Sequence, residues 1–169
     1  MEESLFNPAH NKKILAYDLF DQKHLRNLKD FKFRIGVYGI LLHQDQILVQ
    51  RHPKLKTYGL PGGGVDLGES LETALIREFK EETGLKIKKD KLITVTEDFF
   101  TYKTENAQSV LISYTVQKIA GKLLSNGNHS DTAEVKFVPL KSLNQTTTQR
   151  VFWPIVKLVK DSFFSQKPS

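Results

Sequence analysis

Glu78, Glu81 and Glu82 are spaced i, i+3 and i+4. On a helix turning about 100° per residue, Glu78 and Glu82 fall within about 20° of Leu71, inside the apolar stripe of Leu71, Ala74, Leu75 and Phe79. Glu81 falls about 80° away, at the border of that stripe. A solvated charge run would put its carboxylates opposite the apolar face, whereas these continue that face into the last turn. Crowded carboxylates repel one another, and partial burial raises the cost. They must be protonated, paired with cations, or bound to metal. An oxygen-rich cluster selects hard divalent ions such as Mg²⁺ or Mn²⁺, and the negative end of the helix dipole favours a cation there. The spacing alone also suits a salt-bridged helix in which Arg77 and Lys80 neutralise their neighbours. The preceding loop shifts the balance, because Gly62-Gly63-Gly64 lets backbone groups approach whatever the carboxylates hold.

The segment resembles the Nudix box, G-x5-E-x7-R-E-U-x-E-E-x-G-U, with U a bulky apolar residue. It reads Gly63, Glu69, Arg77, Glu78, Phe79, Glu81, Glu82, Gly84 and Leu85, in agreement at every defined position. The resemblance implies an α/β fold, an α/β/α sandwich around a mixed β-sheet with the box as loop–helix–loop. It also implies water attack on a pyrophosphate bond in a nucleoside diphosphate linked to another moiety. Nucleotide sugars, dinucleoside polyphosphates and nucleoside triphosphates are such substrates. By the family motif, Glu78, Glu81 and Glu82 would hold Mg²⁺ or Mn²⁺, and Gly63 would add its carbonyl. Glu69 and Arg77 would pair, and Arg77 would orient the carboxylates. The base is a box glutamate such as Glu78 or an acid from outside the box. Many family members dimerise, and residues 1–30 are a candidate for that contact.

Outside the box, Glu97, Asp98, Glu105, Asp131 and Glu134 are loop or strand-end acids that could complete the site, with Glu105, Asp131 and Glu134 favoured. Arg51, Lys54 and Lys56 precede the glycine loop and could meet substrate phosphates; plain solvated charges fit equally well. Phe99, Phe100, Tyr102 and Tyr114 could stack on a base, although strand aromatics usually pack the core. In the family, a Tyr some 16–18 positions past the box goes with dinucleoside polyphosphates and a Pro with ADP-ribose. Tyr102 stands at that distance, and no Pro is near.

These side chains need a scaffold. Ser70 can cap a helix ending at Thr83, with Gly84 as the stop. Ile35–Leu42 is a nearly continuous apolar run expected of a buried strand, and Ile47-Leu48-Val49 is its hairpin partner across the polar turn at 43–46. Tyr58–Gly64 is expected to be a loop without regular structure. Leu92–Phe100, Ser109–Lys118 and Val135–Val138 read as strands, with a polar loop at 102–108 and a turn at Asn126-Gly127-Asn128. Residues 147–164 carry helical spacing. The expected organisation is an extension over residues 1–30 and one domain over 31–165.

The chain has 169 residues and no cysteine, which excludes disulfide frameworks, thiolate metal sites and a thiol nucleophile. No apolar run reaches a membrane-spanning length, and Met1-Glu2-Glu3-Ser4 leads into no apolar signal core. No membrane association is expected, and the expected location is the cytoplasm. The formal charge is +6. Residues 63–85 carry six carboxylates against Arg77 and Lys80, a net −4, so the remainder carries +10. An acidic knot in a basic chain suits a cation site approached by an anion. A small nucleotide is the first expectation. RNA with a 5′ pyrophosphate is the alternative partner, and a nucleotide-binding module without turnover is the third reading.

Overall fold

The computed structural model describes residues 12–102, 105–126 and 132–165. They form two compact units, one of residues up to Arg34 with Thr96–Val110, the other of Ile35–Val95 with residues from Leu111 onward.

In the first unit, β1 (Lys13–Tyr17) and β2 (Lys23–Asn27) make an antiparallel hairpin with Leu15 opposite Leu25. β1 also meets the end of β7 (Leu85–Tyr102) in parallel, Tyr17 beside Phe100. Asp18 accepts the Phe20 and Gln22 N–H groups and bonds His24 at 2.9 Å, which closes the hairpin turn. The His24 bond holds the Asp18 carboxyl below the usual range. The short apolar run Ile14–Tyr17 thus becomes a strand.

The second unit holds the box. β6 (Gly62–Gly64) and the second-unit parts of β3 (Phe31–Ile40), β7 and β8 (Glu105–Gly121) lie in the order β7-β8-β3-β6. A second sheet joins β4 (Leu42–His43), β5 (Gln46–Arg51) and β9 (Glu134–Pro139) in the order β4-β5-β9. The α-helices among the described residues are α1 (Leu71–Thr83) and α2 (Trp153–Ser165).

Side-chain alternation shows which helix covers which face. On β5, Leu48 packs with Ala74, Leu75 and Phe79 of α1, while Ile47 and Val49 pack with Ile155, Val156 and Val159 of α2. On β3, Val37 belongs with α1 and Ile40 with α2; on β9, Val135 belongs with α1 and Val138 with α2. The strands are therefore the filling of an α/β/α sandwich. Phe79 is fully buried, and a Cβ on Gly39 would lie 2.6 Å from its ring. Burying such a side chain contributes roughly 1.5–3 kcal/mol.

The structure departs from the sequence expectations in several places. The run 35–42 divides into β3 and β4, and only Leu42 and His43 of β4 pair with β5, in the second sheet. Gly62–Gly64 is a short strand, with Gly36, Val37 and Tyr38 opposite Gly64, Gly63 and Gly62. The strands run so close that a Cβ on Gly62, at φ +137, would sit 2.1 Å from the Val37 carbonyl oxygen. β7 begins at Leu85, directly after the helix stop, rather than at Leu92. β7 ends at Tyr102 and β8 starts at Glu105, so the polar stretch expected as a loop is mostly strand. The expected turn at 126–128 lies largely outside the described residues. No described helix is long and apolar enough to cross a membrane.

Candidate active site

Helix α1 is fixed at both ends. The Ser70 hydroxyl accepts the Thr73 N–H at 3.1 Å. At the other end Gly84 adopts φ 73 and returns its N–H to the Lys80 carbonyl at 2.8 Å, a conformation that costs glycine little. Buried Thr83 donates its hydroxyl to the Phe79 carbonyl and accepts the Leu85 N–H. With its ends pinned and Phe79 seated in the core, the helix presents Glu78, Glu81 and Glu82 in a fixed rotation.

Arg77 gathers the box. Its Nε and Nη2 donate to the two Glu69 oxygens at 2.9 and 2.8 Å, a bidentate fork. Nη2 also donates to the Gly64 carbonyl at 3.1 Å, and Nη1 to Glu78 at 2.8 Å. Glu81 lies 3.6 Å from Nη1 and Asp66 3.6 Å from Nη2. The Glu69 bond, with Glu78 behind it, raises the guanidinium pKa further and keeps Arg77 charged. Arg77 in turn holds the Glu69 carboxyl below its ordinary range.

The glycine strand meets two of the helix carboxylates, Glu78 and Glu82. A Cβ on Gly63 would lie 2.5 Å from the Glu78 carboxyl carbon, so Glu78 lies directly against the Gly63 backbone. Glu82 accepts the Gly62 N–H at 2.7 Å on Oε2 and the Gln50 side-chain N–H at 3.0 Å on Oε1. Glu81 is more exposed than Glu78, its side chain 43% accessible against 19%. Each carboxylate is thus balanced by nitrogen donors. Among the described residues, no three His, Asp or Glu side chains are gathered as a metal site. The donor types nevertheless suit a hard cation: carboxylate oxygens on one helix end beside a backbone that a side chain would block.

Arg51 follows Gln50 on β5 and therefore points to the opposite face, where its Nε donates to Glu134 at 3.1 Å. Lys136 donates to the same Glu134 at 2.9 Å and lies 5.2 Å from the Tyr58 ring centroid. Lys136, then Arg51, holds the Glu134 carboxyl below its usual range, and Tyr58, then Glu134, raises the Lys136 ammonium. Tyr102 ends β7, its ring stacked on Phe100 at 6.3 Å, and Glu105 opens β8, exposed; both belong to the first unit. Asp131 lies outside the described residues. The sequence reading missed Gln50, although alternation from Leu48 places this polar side chain on the face that α1 covers.

A family model described as NUDIX domain matches residues 32–159. The chain is 30% identical over 144 residues to an ADP-ribose pyrophosphatase of Methanocaldococcus jannaschii, covering 78% of this chain and 82% of that protein. It is 38% identical over 78 residues to an RNA pyrophosphohydrolase of Baumannia cicadellinicola, a match of 45% of this chain and only 48% of that protein. The fold is similar to the crystal structure of a MutT NUDIX hydrolase from Burkholderia pseudomallei, with TM-score 0.64 and 23% identity over 76% of this chain and 98% of that one.

Proposed function

The chain belongs to the Nudix hydrolase family, and from that premise we propose that it is a pyrophosphohydrolase requiring Mg²⁺ or Mn²⁺ and acting on a small nucleoside diphosphate linked to a second moiety. The observation that carries this is the Arg77 clamp, one guanidinium bonded to Glu69, Gly64 and Glu78 at the loop–helix junction. Glu78, Glu81, Glu82 and the Gly63 carbonyl would hold the ion. Such an ion neutralises pyrophosphate charge and lowers the pKa of the attacking water.

The chain's own residues do the remaining work. Glu69 keeps Arg77 in its fork, and Arg77 fixes Glu78 over Gly63. Glu78 or Glu81 accepts the proton of the water as it attacks phosphorus, and the pyrophosphate bond breaks to two phosphorylated products. ADP-ribose heads the substrate panel, supported by the relative of that name at 30% identity. Dinucleoside polyphosphates, nucleotide sugars and nucleoside triphosphates complete it. Product analysis with each metal is the test. Metal-dependent release of a nucleoside monophosphate from at least one panel member is expected. Binding of every member without hydrolysis would instead support the reading of a nucleotide-binding module.

A second reading rests on the basic remainder of the chain, +10 outside residues 63–85. It takes the 5′ end of RNA as substrate, in line with the name of the Baumannia relative.

A further inference from the structure

We infer that Gln50 and Thr132 are positioning residues that set the orientation of the Glu82 carboxylate. The inference rests on the reading of Glu82 as part of the metal-holding set.

Gln50 is engaged through every polar atom it has. Its backbone N–H and carbonyl exchange bonds with Gly59 at 3.0 and 2.8 Å. Its side-chain Nε2 donates to Glu82 Oε1 at 3.0 Å and to the Leu60 carbonyl at 3.2 Å. Its Oε1 accepts the Thr132 hydroxyl at 3.0 Å. One acceptor of Nε2 is the Leu60 carbonyl, which has no hydrogen to donate to a flipped amide oxygen, so the amide has one chemically sensible orientation. That orientation leaves Oε1 facing Thr132, which is 3% exposed and has little alternative partner in solvent.

The result is a chain of hydrogen bonds running Thr132 → Gln50 → Glu82, with Gly62 N–H closing on the second Glu82 oxygen at 2.7 Å. Gln50 pairs with Val135 across β5 and β9. Thr132 just before β9, the Leu60 carbonyl just before the glycine strand and Glu82 near the end of α1 therefore all bond one amide. Groups behind a metal ligand typically change affinity or activity by 10- to 100-fold when lost.

The test uses the full chain and the variants Thr132→Val, Thr132→Ser and Gln50→Met. Valine and methionine keep volume and remove the bond; serine restores the hydroxyl. Three readouts are taken: the Gly62 amide NMR shift, Mn²⁺ affinity without nucleotide, and kcat against KM for a panel substrate. Thr132→Val and Gln50→Met should move the Gly62 signal, weaken Mn²⁺ about 10- to 100-fold and lower kcat with KM nearly unchanged. Thr132→Ser should restore all three. The double variant should be no worse than Gln50→Met alone, since both act through one chain. A fall in Tm with the Gly62 signal and Mn²⁺ affinity unmoved would mark the amide as purely structural and overturn the inference. If the wild-type chain neither binds Mn²⁺ nor hydrolyses any nucleotide, the proposed function fails. The Gly62 signal then still decides whether Gln50 and Thr132 place Glu82.

Discussion

At the scale of single residues, Arg77 and Glu81 are open to clean tests. Arg77 serves four acceptors on three residues, Glu69, Gly64 and Glu78. Arg77→Lys keeps the charge but replaces a planar fork with a point donor. We expect turnover to fall roughly 10- to 100-fold while the far-ultraviolet circular dichroism stays unchanged; full turnover in that variant would remove the clamp from the mechanism. Glu81→Gln is a better probe of the carboxylate set than Glu82→Gln. A glutamine at 82 would turn an amide NH₂ toward the Gln50 or Gly62 N–H donor and loosen the glycine strand as well. If Glu81 is the base, its loss should cost on the order of 10²–10⁴ in kcat. The box residues were legible in the sequence because their types and spacing are local. Gln50 was not, because its decisive partners, Glu82 and Thr132, lie 32 and 82 residues away.

At the scale of elements, two adjacent glycines separate site from scaffold. The nearest atoms to a Cβ on Gly63 are the end of the Glu78 side chain, whereas a Cβ on Gly62 meets the Val37 backbone and strains a positive φ. Gly63→Ala should therefore displace Glu78 and remove activity with Tm nearly unchanged. Gly62→Ala should lower Tm strongly, and equal Tm values for the two would refute the distinction. Ser70→Ala removes the α1 cap and should cost about 1 kcal/mol in denaturant unfolding. Helix α1 was readable because cap, apolar period and glycine stop all agree on Leu71–Thr83. Strand β6 was not readable, since three glycines pairing through backbone alone leave no side-chain pattern. The pairing of β5 with β9 adds a pH dependence. The folded pKa of Glu134 is depressed, so its bonds to Lys136 and Arg51 contribute stability above the ordinary carboxylate pKa. That stability is lost as pH falls through the lower folded value. Glu134→Gln should flatten the acid limb of Tm against pH, and an unchanged limb would show that the cluster contributes nothing measurable.

At the scale of the whole molecule, charge separates the two substrate readings. The −4 of residues 63–85 sits within a chain whose remainder carries +10. A small nucleotide brings a few negative charges to one place, so its KM should rise only modestly with salt. A 5′-triphosphorylated RNA would meet the basic remainder through many phosphates. Each neutralised phosphate on a single strand contributes about −0.7 to the slope of log affinity against log salt. An RNA substrate using six basic side chains would show a slope near −4, by that relation. Excess chelator should abolish turnover of either substrate, so it tests the metal requirement and not the substrate. Measuring kcat/KM for ADP-ribose and for RNA between low and physiological salt discriminates. We expect a shallow slope with ADP-ribose and a lower kcat/KM for RNA at physiological salt. A steep slope, with RNA preferred even there, would move the assignment to the RNA end. The basic surface would then be the part of the molecule that selects the substrate, with the box only cutting it.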